Sequence, residues 1–203
     1  MRLNQSFLQR VNDLYQSFIK YDATQCDRLY RYRNIEPESA LYLAMQIRIQ
    51  QSKNVLEIGT STGYSTLWLA DAVKQTGGHL TTLEIDAART DQARQYAQEL
   101  DVADVIDFWV GDALDYLKQA TEQANNVHQY DLILLDAERD AYCDYWPHLQ
   151  QILSTTGGVL IVDNVISHAA EAKAFMHMVK QDLRFLTTTL PLGAGLFLVT
   201  FRA

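Results

Sequence analysis

A chain of 203 residues, 48% of them hydrophobic, is long enough to bury one core of ordinary size and requires no second domain. Seventeen basic against twenty-five acidic residues give a net charge of −8, which argues against a broad surface for nucleic-acid phosphates. Without a secretory signal, an apolar run of membrane-spanning length or a cysteine framework, the chain is expected to be cytoplasmic, with no membrane partner.

Two helices are predicted ahead of the first glycine-rich segment. Apolar residues recur at helical spacing over residues 3–19, and a second helix is predicted from Pro37 to about residue 50. Between them lies a short basic run, Arg28–Arg33, which we interpret as a solvated face. We therefore expect a single domain, 1–203, in which residues 1–50 form a helical layer and residues 51–203 a ligand-binding core.

From residue 54 onward, apolar strand-like runs alternate with helical stretches. Such alternation predicts an α/β fold with a mostly parallel, doubly wound sheet covered by helices on both faces. The strand candidates at 185–190 and 196–201 are joined too closely for a parallel crossover, so a hairpin is predicted. The expected sheet has seven strands, one of them antiparallel and near an edge. The predicted strands are 54–59, 79–85, 105–110, 130–136, 157–162, 185–190 and 196–201; the helices between them are 63–75, 87–100, 112–120, 143–153 and 168–181.

The first strand runs into a glycine loop with a carboxylate, Glu57, two residues before Gly59. Gly59 can turn without steric penalty, and Gly63 lets a helix start approach a ligand closely. The spacing predicts a backbone-lined cradle for a nucleotide-like cofactor. An ordinary strand-to-helix turn is the alternative interpretation.

Acidic residues also follow the next two strands. Ligands of open α/β sheets collect beyond the carboxyl ends of the strands, where Glu84 is placed to accept hydrogen bonds from ribose hydroxyls. Asp112 is placed to reach an adenine amino group, although it is equally suited to cap the helix that follows.

The fourth and fifth strands end in Asp136 and in Asp163–Asn164. If these strands are neighbours, two carboxylates and an amide oxygen meet, a set suited to Mg²⁺, Mn²⁺ or Ca²⁺. Helix capping at both ends is the alternative. We favour the cation because two carboxylates brought close together need a compensating charge or a shifted pKa.

Five segments in this order resemble the cation-dependent, S-adenosylmethionine-dependent O-methyltransferases, the group of the catechol and caffeoyl-coenzyme-A enzymes and their bacterial relatives. The likeness covers about residues 35–203. The segments are Glu57–Ser65, Leu83–Asp86, Gly111–Ala113, Leu135–Tyr142 and Gly157–Asn164.

The resemblance implies a Rossmann-like class I methyltransferase fold, a homodimer, and specific roles at the strand ends. The implied cofactor-binding residues are Glu57, Gly59, Thr60, Ser65, Glu84, Asp112, Ala113, Asp136 and Glu138. The implied metal ligands are Asp136, Asp163 and Asn164; the implied catalytic residues are Asp136, Arg139 and His168, with Tyr142 and Trp146 either near the acceptor or in the core.

Methyl transfer from a sulfonium to oxygen needs an activated hydroxyl. A divalent cation that binds the hydroxyl lowers its pKa and fixes the attacking oxygen, so an acceptor with two adjacent hydroxyls fits best. We therefore expect a small hydroxylated, catechol-like aromatic as the substrate.

Arg139 departs from the family pattern, because relatives usually carry lysine there. Arginine stays protonated and is a poor general base. We interpret Arg139 either as an oxyanion-stabilising group, with proton removal left to the metal, to water or to His168, or as part of a surface ion pair with Asp140 or Glu138.

Three other functions stay open at the level of sequence. A nicotinamide-dependent oxidoreductase fits Glu84 but not the spacing of the glycine loop. A cofactor-binding protein without turnover is kept open by Arg139. A transfer-RNA hydroxyuridine methyltransferase is kept open by bacterial relatives, although the acidic chain makes a nucleic-acid partner the lesser alternative.

Overall fold

The computed structural model describes residues 5–27, 30–122 and 130–202. The first two residues of the predicted 3–19 helix, and Arg28 of the basic run, lie outside these ranges. Within them the helices are α1 (Gln5–Thr24), α2 (Pro37–Gln50), α3 (Tyr64–Thr76), α4 (Ala87–Glu99), α5 (Ala113–Glu122), α6 (Tyr142–Ile152) and α7 (Ala169–Gln181). The strands are β1 (Asn54–Ile58), β2 (His79–Glu84), β3 (Ile106–Val110), β4 (Leu132–Leu135), β5 (Val159–Val162), β6 (Phe185–Leu190) and β7 (Leu196–Phe201).

The strands form one sheet in the order β3-β2-β1-β4-β5-β7-β6. β1 pairs in parallel with β2 and β4, and β4 pairs in parallel with β5. β7 runs antiparallel to both of its neighbours. The predicted seven-stranded, mostly parallel sheet with one antiparallel strand near an edge is confirmed.

Alternating residues of the central strands feed two apolar layers. Leu132 and Leu134 of β4 face the layer that holds α1, α2 and α3, whereas Ile133 and Leu135 face the layer that holds α6 and α7. All four side chains are fully buried, and each contributes roughly 1.5–3 kcal/mol of hydrophobic free energy. Burial on both faces explains why these strands read as continuous apolar runs.

Helix α1 extends five residues beyond the predicted end at Ile19. Its last buried apolar residue is Phe18, and the final turn is largely exposed. The apolar repeat therefore stops before the helix does. Among the described residues, no helix has both the length and the apolar character needed to cross a membrane.

The β6–β7 hairpin supports the loop that follows β5. Carbonyl oxygens of Ala194 and Gly195 accept hydrogen bonds from the backbone N–H groups of Val165, Ile166 and Ser167, at 3.0–3.1 Å. Gly195 has φ +97°, and a β carbon there would overlap the Ile166 side chain. This close approach fixes the loop that begins with Asn164.

Candidate active site

A cavity of about 600 Å³ opens beyond the carboxyl ends of β1, β2, β3 and β4. Most of the candidate site residues predicted from the sequence line this cavity. Those that line it are Gly59, Ser65, Glu84, Asp112, Ala113, Asp136, Glu138, Arg139, Asn164 and His168. Glu57, Thr60 and Asp163 lie behind the wall, each no more than 1% exposed.

The glycine loop is wedged between neighbouring strand ends. Gly59 has φ +107°, and a β carbon there would overlap the carbonyl oxygen of Asp136. The N–H groups of Gly59 and Thr60 donate to the carbonyl of Leu83, at 2.9 and 3.1 Å. Gly63, with φ +90°, begins α3 against Ala93. The glycines therefore allow the first turn of α3 to lie next to the cavity.

Glu84 holds the loop as well as lining the cavity. Its carboxylate accepts the backbone N–H of Ser61 at 2.8 Å and that of Asp86 at 3.0 Å. Ser61 is in the left-handed region, with φ +47°. One carboxylate thus fixes the turn between β1 and α3 and remains half-buried beside the cavity.

Asp112 caps α5 and lines the cavity, while its predicted contact with an adenine amino group stays a prediction. It accepts the N–H of Leu114 at 2.8 Å, as a helix cap does, and it also lines the cavity. Ala113 lies beside it. Sequence reasoning missed Ile85, whose side chain lines the same region and is 72% exposed. The sequence signal for Ile85 is that an apolar residue directly follows Glu84 at the end of β2.

Glu57 lies in the core beneath the glycine loop. Its Oε2 accepts hydrogen bonds from the hydroxyls of Thr66 and Thr82, at 2.5 and 2.6 Å. Burial raises the pKa of Glu57 to about 7, although these hydroxyls offset part of the rise. Thr60 joins the same cluster through its hydroxyl, 2.5 Å from that of Thr82. The proposed contacts of Glu57 and Thr60 with a cofactor stay predictions.

Asp136 and Asp163 are bridged by one side-chain amide. Nδ2 of Asn164 donates to Oδ1 of Asp136 at 3.0 Å and to Oδ2 of Asp163 at 2.9 Å. Burial raises the pKa of both carboxyls, and the charge of Asp136 raises that of Asp163 further. The predicted juxtaposition of the two strand ends is present.

The donor set fits a hard divalent cation. Oδ1 of Asp163 is buried and accepts no hydrogen bond from any described residue. Burial and mutual repulsion disfavour the charged forms of the two carboxyls, and a bound cation would offset both effects. Two carboxylates and one amide offer the oxygen ligands that Mg²⁺ or Ca²⁺ prefers. In the described part of the chain, no three His, Cys, Asp or Glu side chains gather in a metal-binding group. The fit therefore depends on the amide of Asn164.

Arg139 forms an ion pair with a residue of a neighbouring helix. Its guanidinium donates to Glu171 of α7 at 3.1 Å, and its side chain is 7% exposed. The ion-pair interpretation is correct in kind, but the partner is Glu171 and not Asp140 or Glu138. Since arginine stays protonated, this geometry gives Arg139 no role as a base. His168 lines the cavity at the start of α7, with Nδ1 2.8 Å from the Ser167 hydroxyl.

Tyr142 and Trp146, for which the acceptor site and the core were the two alternatives, belong to the core. Tyr142 and Trp146 are 1% and 4% exposed, and neither lines the cavity. The Tyr142 hydroxyl donates to the carbonyl of Ala137 at 3.0 Å, and Trp146 packs against Phe175. The residue of α6 that does line the cavity is Tyr145. Trp146 follows Tyr145 directly, and adjacent positions of a helix face different surroundings.

The segment between α1 and α2 forms one wall of the cavity. Its lining residues are Arg31, Tyr32, Arg33, Asn34 and Ile35. The interpretation of Arg31 and Arg33 as part of a solvated face was therefore wrong. No periodic sequence pattern predicts this wall, because its residues contact segments that are distant in sequence and not neighbours along one helix or strand.

Comparison with known proteins agrees with the geometry. A family model described as O-methyltransferase matches residues 21–202. Catechol O-methyltransferase of Niastella koreensis is 32% identical over 133 residues, which is 66% of this chain and 58% of that protein. Caffeoyl-CoA O-methyltransferase 1 of Arabidopsis thaliana is 32% identical over 125 residues, which is 62% of this chain and 48% of that protein. The chain thus matches about half the length of these curated relatives.

A solved structure extends the likeness to the whole chain. The O-methyltransferase of Bacillus cereus, in complex with SAH, superimposes with a TM-score of 0.79 at 24% identity. The match covers 100% of this chain and 93% of that one. It establishes the shared fold.

Proposed function

Because the chain belongs to the O-methyltransferase family, we propose that it transfers a methyl group from S-adenosylmethionine to a hydroxyl of a small, catechol-like acceptor, with a divalent cation. The observation that carries the proposal is the Asp136–Asn164–Asp163 group, in which Asp163 is buried and the other two residues are half-buried, at the edge of a cavity that also holds the glycine loop.

The cofactor would lie along the glycine loop and the ends of β2 and β3. Glu84 offers a carboxylate to ribose hydroxyls, Ile85 an apolar face to a planar base, and Asp112 an acceptor for an amino group. Ser65 and Gly59 line the part of the cavity next to Asp136. S-adenosylmethionine, when bound, supplies the electrophilic methyl group. Support comes also from the Bacillus cereus relative, which was solved with SAH.

Asp136, Asp163 and Asn164 would hold the cation. When bound, the cation would offset the repulsion between the carboxylates and lower the pKa of an acceptor hydroxyl. The chain's own contribution is geometric, because the left-handed backbone of Asn164, φ +66°, presents its amide to both carboxylates. His168, which also lines the cavity, would take up the proton of the acceptor hydroxyl.

A labelled-methyl assay tests the proposal. The purified chain is incubated with S-adenosylmethionine and either a panel of catechols or bulk transfer RNA, each with Mg²⁺ and with a chelator. We expect methylated catechol that disappears with the chelator. Label found only in RNA would show that the acceptor is a nucleic acid and not a catechol. Single-turnover reactions without any methylated product would show that the chain binds the cofactor without transferring its methyl group.

A homodimer stays part of the proposal. Three apolar side chains of α2, Leu41, Met45 and Ile49, recur every four residues and are 40%, 50% and 72% exposed. A second copy of the chain would cover them. Light scattering on the wild type and on Met45→Glu tests this, since a dimer held by this face would dissociate in the variant.

A further inference from the structure

The turn between β3 and α5 forms the side of the cavity at which we place the adenine base. Gly111, Asp112 and Ala113 of this turn all line the cavity. The backbone N–H of Gly111 donates to the carbonyl of Glu84 at 2.9 Å, and the carboxylate of Asp112 accepts the N–H of Leu114 at 2.8 Å. Hydrogen bonds therefore hold the turn from the β2 side and from the α5 side.

A third support for the turn is the side chain of Trp109, near the end of β3. A β carbon built on Gly111 would lie 2.7 Å from Cη2 of Trp109 and 2.9 Å from its Cζ3. Both distances are shorter than a van der Waals contact between carbon atoms, so the six-membered part of the indole ring lies directly against the α carbon of Gly111. The ring thus limits how closely the turn can approach the sheet.

The indole ring is itself held in place by α5. It is half-buried and meets the ring of Tyr116 edge-on, with centroids 5.6 Å apart and an interplanar angle of 66°. The hydroxyl of Tyr116 lies 2.6 Å from that of Tyr130, which is 5% exposed and lies just before β4. These contacts fix the indole ring against Gly111.

The other two tryptophans of the chain have different surroundings. Trp68 and Trp146 are 6% and 4% exposed, and they pack against Phe7 and Phe175. Neither of them lines the cavity. Their truncation would remove core packing, whereas truncation of Trp109 would also release a residue of the cavity wall.

We propose that Trp109 is a positioning residue for cofactor recognition: its indole ring holds Gly111, and through it Asp112, at the depth at which the turn meets the adenine base. The inference rests on the proposed function, because it takes S-adenosylmethionine as the occupant of the cavity. Recognition groups must stay within about 0.5 Å of their productive positions, so a void behind the turn should relax the selectivity for the base. Since Trp109 does not line the cavity, methyl transfer itself should be little affected.

Two compounds that differ only in the base test this: S-adenosylhomocysteine and S-inosylhomocysteine. The inosine compound has a carbonyl oxygen where adenine has the amino group that Asp112 is proposed to accept. Calorimetry measures the affinity of the full chain for each, and initial rates give kcat and KM for S-adenosylmethionine. The variants are Trp109→Leu and Trp109→Phe. Trp146→Leu is the matched control, because it makes the same truncation in the core, against Phe175 and Phe185.

We expect the wild type to bind S-adenosylhomocysteine about tenfold more tightly than the inosine compound, as for one hydrogen bond to a charged group. Trp109→Leu should bring this ratio close to one and raise KM for S-adenosylmethionine, with kcat nearly unchanged. Trp109→Phe should retain part of the ratio, and Trp146→Leu all of it. A wild-type ratio near one, or an unchanged ratio in Trp109→Leu, would overturn the inference. So would an equal loss in Trp146→Leu, since lowered stability would then be the cause.

Failure of the proposed function gives a different result. No acceptor would then be methylated, while the affinity ratio would still report on Trp109; if neither compound bound to the wild type, the inference would fall as well. If Trp109→Leu does not fold, as judged by its thermal transition, Trp109→Phe decides, because phenylalanine keeps an aromatic ring but is shorter than tryptophan. An undiminished ratio in that variant would overturn the inference.

Discussion

Two groups of buried carboxylates lie within this sheet, and they are satisfied in different ways. Glu57 is enclosed in the core, where the hydroxyls of Thr66 and Thr82 donate to it. Asp136 and Asp163 share a single amide donor at the edge of the cavity. Burial raises the pKa in both places, so a raised pKa alone does not mark a reactive site. Both groups hold a buried oxygen without a hydrogen bond from a described residue, Oε1 of Glu57 and Oδ1 of Asp163, so the position beside the open cavity is what distinguishes the second group.

Gly59 follows Glu57 by two residues and lies against the backbone of Asp136, so the largest effect is expected from Gly59→Ala. The new β carbon would overlap the Asp136 carbonyl in a left-handed residue, and we expect a loss of more than about 3 kcal/mol in unfolding free energy. Urea denaturation measures it. Gly157→Ala is the control, because φ is +84° there but nothing lies within 4 Å, so only backbone strain should appear. Equal losses in both variants would show that the contact with Asp136 is unimportant.

Asp163→Asn removes one charge from the cavity-edge group and preserves its shape. We expect turnover to fall by at least about a hundredfold and cation affinity to fall with it. Affinity for S-adenosylhomocysteine should change little, because Asp163 lies behind the cavity wall. Calorimetry with each ligand separates the two effects. Full turnover in this variant, unaffected by a chelator, would reject the cation role.

Glu57→Gln should alter stability rather than cation dependence. The folded pKa of Glu57, about 7, lies above the usual 4.5, so its stabilising contribution is complete below about 4.5 and is lost as the pH rises through 7. Between about pH 5 and about pH 8 the wild type should therefore lose about 2 kcal/mol more than the variant. Chemical denaturation at the two pH values measures this. Identical pH profiles would show that Glu57 titrates normally.

Glu84→Gln should have the smallest effect of the four. This carboxylate already accepts two backbone N–H groups, and glutamine keeps one acceptor oxygen. We expect affinity for S-adenosylhomocysteine to weaken about tenfold, the value of one charged hydrogen bond. Glu99→Gln, on the outer surface of α4, is the control. Unchanged affinity in Glu84→Gln would remove the ribose contact from the proposal.

Strand ends were predictable from the sequence because parallel strands place their carboxyl ends at one edge of the sheet. Asp136 and Asn164 are 28 residues apart, yet alternation of strands and helices was enough to expect their contact. Their roles as ligands stay predictions. Asp112 caps the helix that follows it, which was one of its two predicted roles; its contact with an adenine amino group stays a prediction.

The cavity wall formed by residues 31–35 was not predictable in the same way. Arg33 and Glu138 are 105 residues apart, and neither belongs to a repeat that reveals its direction. From the sequence alone, a basic run in an acidic chain is expected to be solvated surface. In the structure, the carboxylate of Asp22 accepts the backbone N–H groups of Tyr32 and Arg33 and holds this run against α1. For Tyr142 and Trp146 the sequence left the acceptor site and the core open, because aromatic side chains serve in both, and the structure shows that both residues lie in the core.

The contacts between the β6–β7 hairpin and the loop after β5 bear on the order in which the walls of the cavity form during synthesis of the chain. Ala194 and Gly195 hold the backbone of residues 165–167, directly after Asn164. While the ribosome has yet to add the final strand, Asp136 and the glycine loop can already pair within β1, β2 and β4, but Asn164 lacks its support. The glycine loop can therefore be fixed in the nascent chain before the loop that carries Asn164 is.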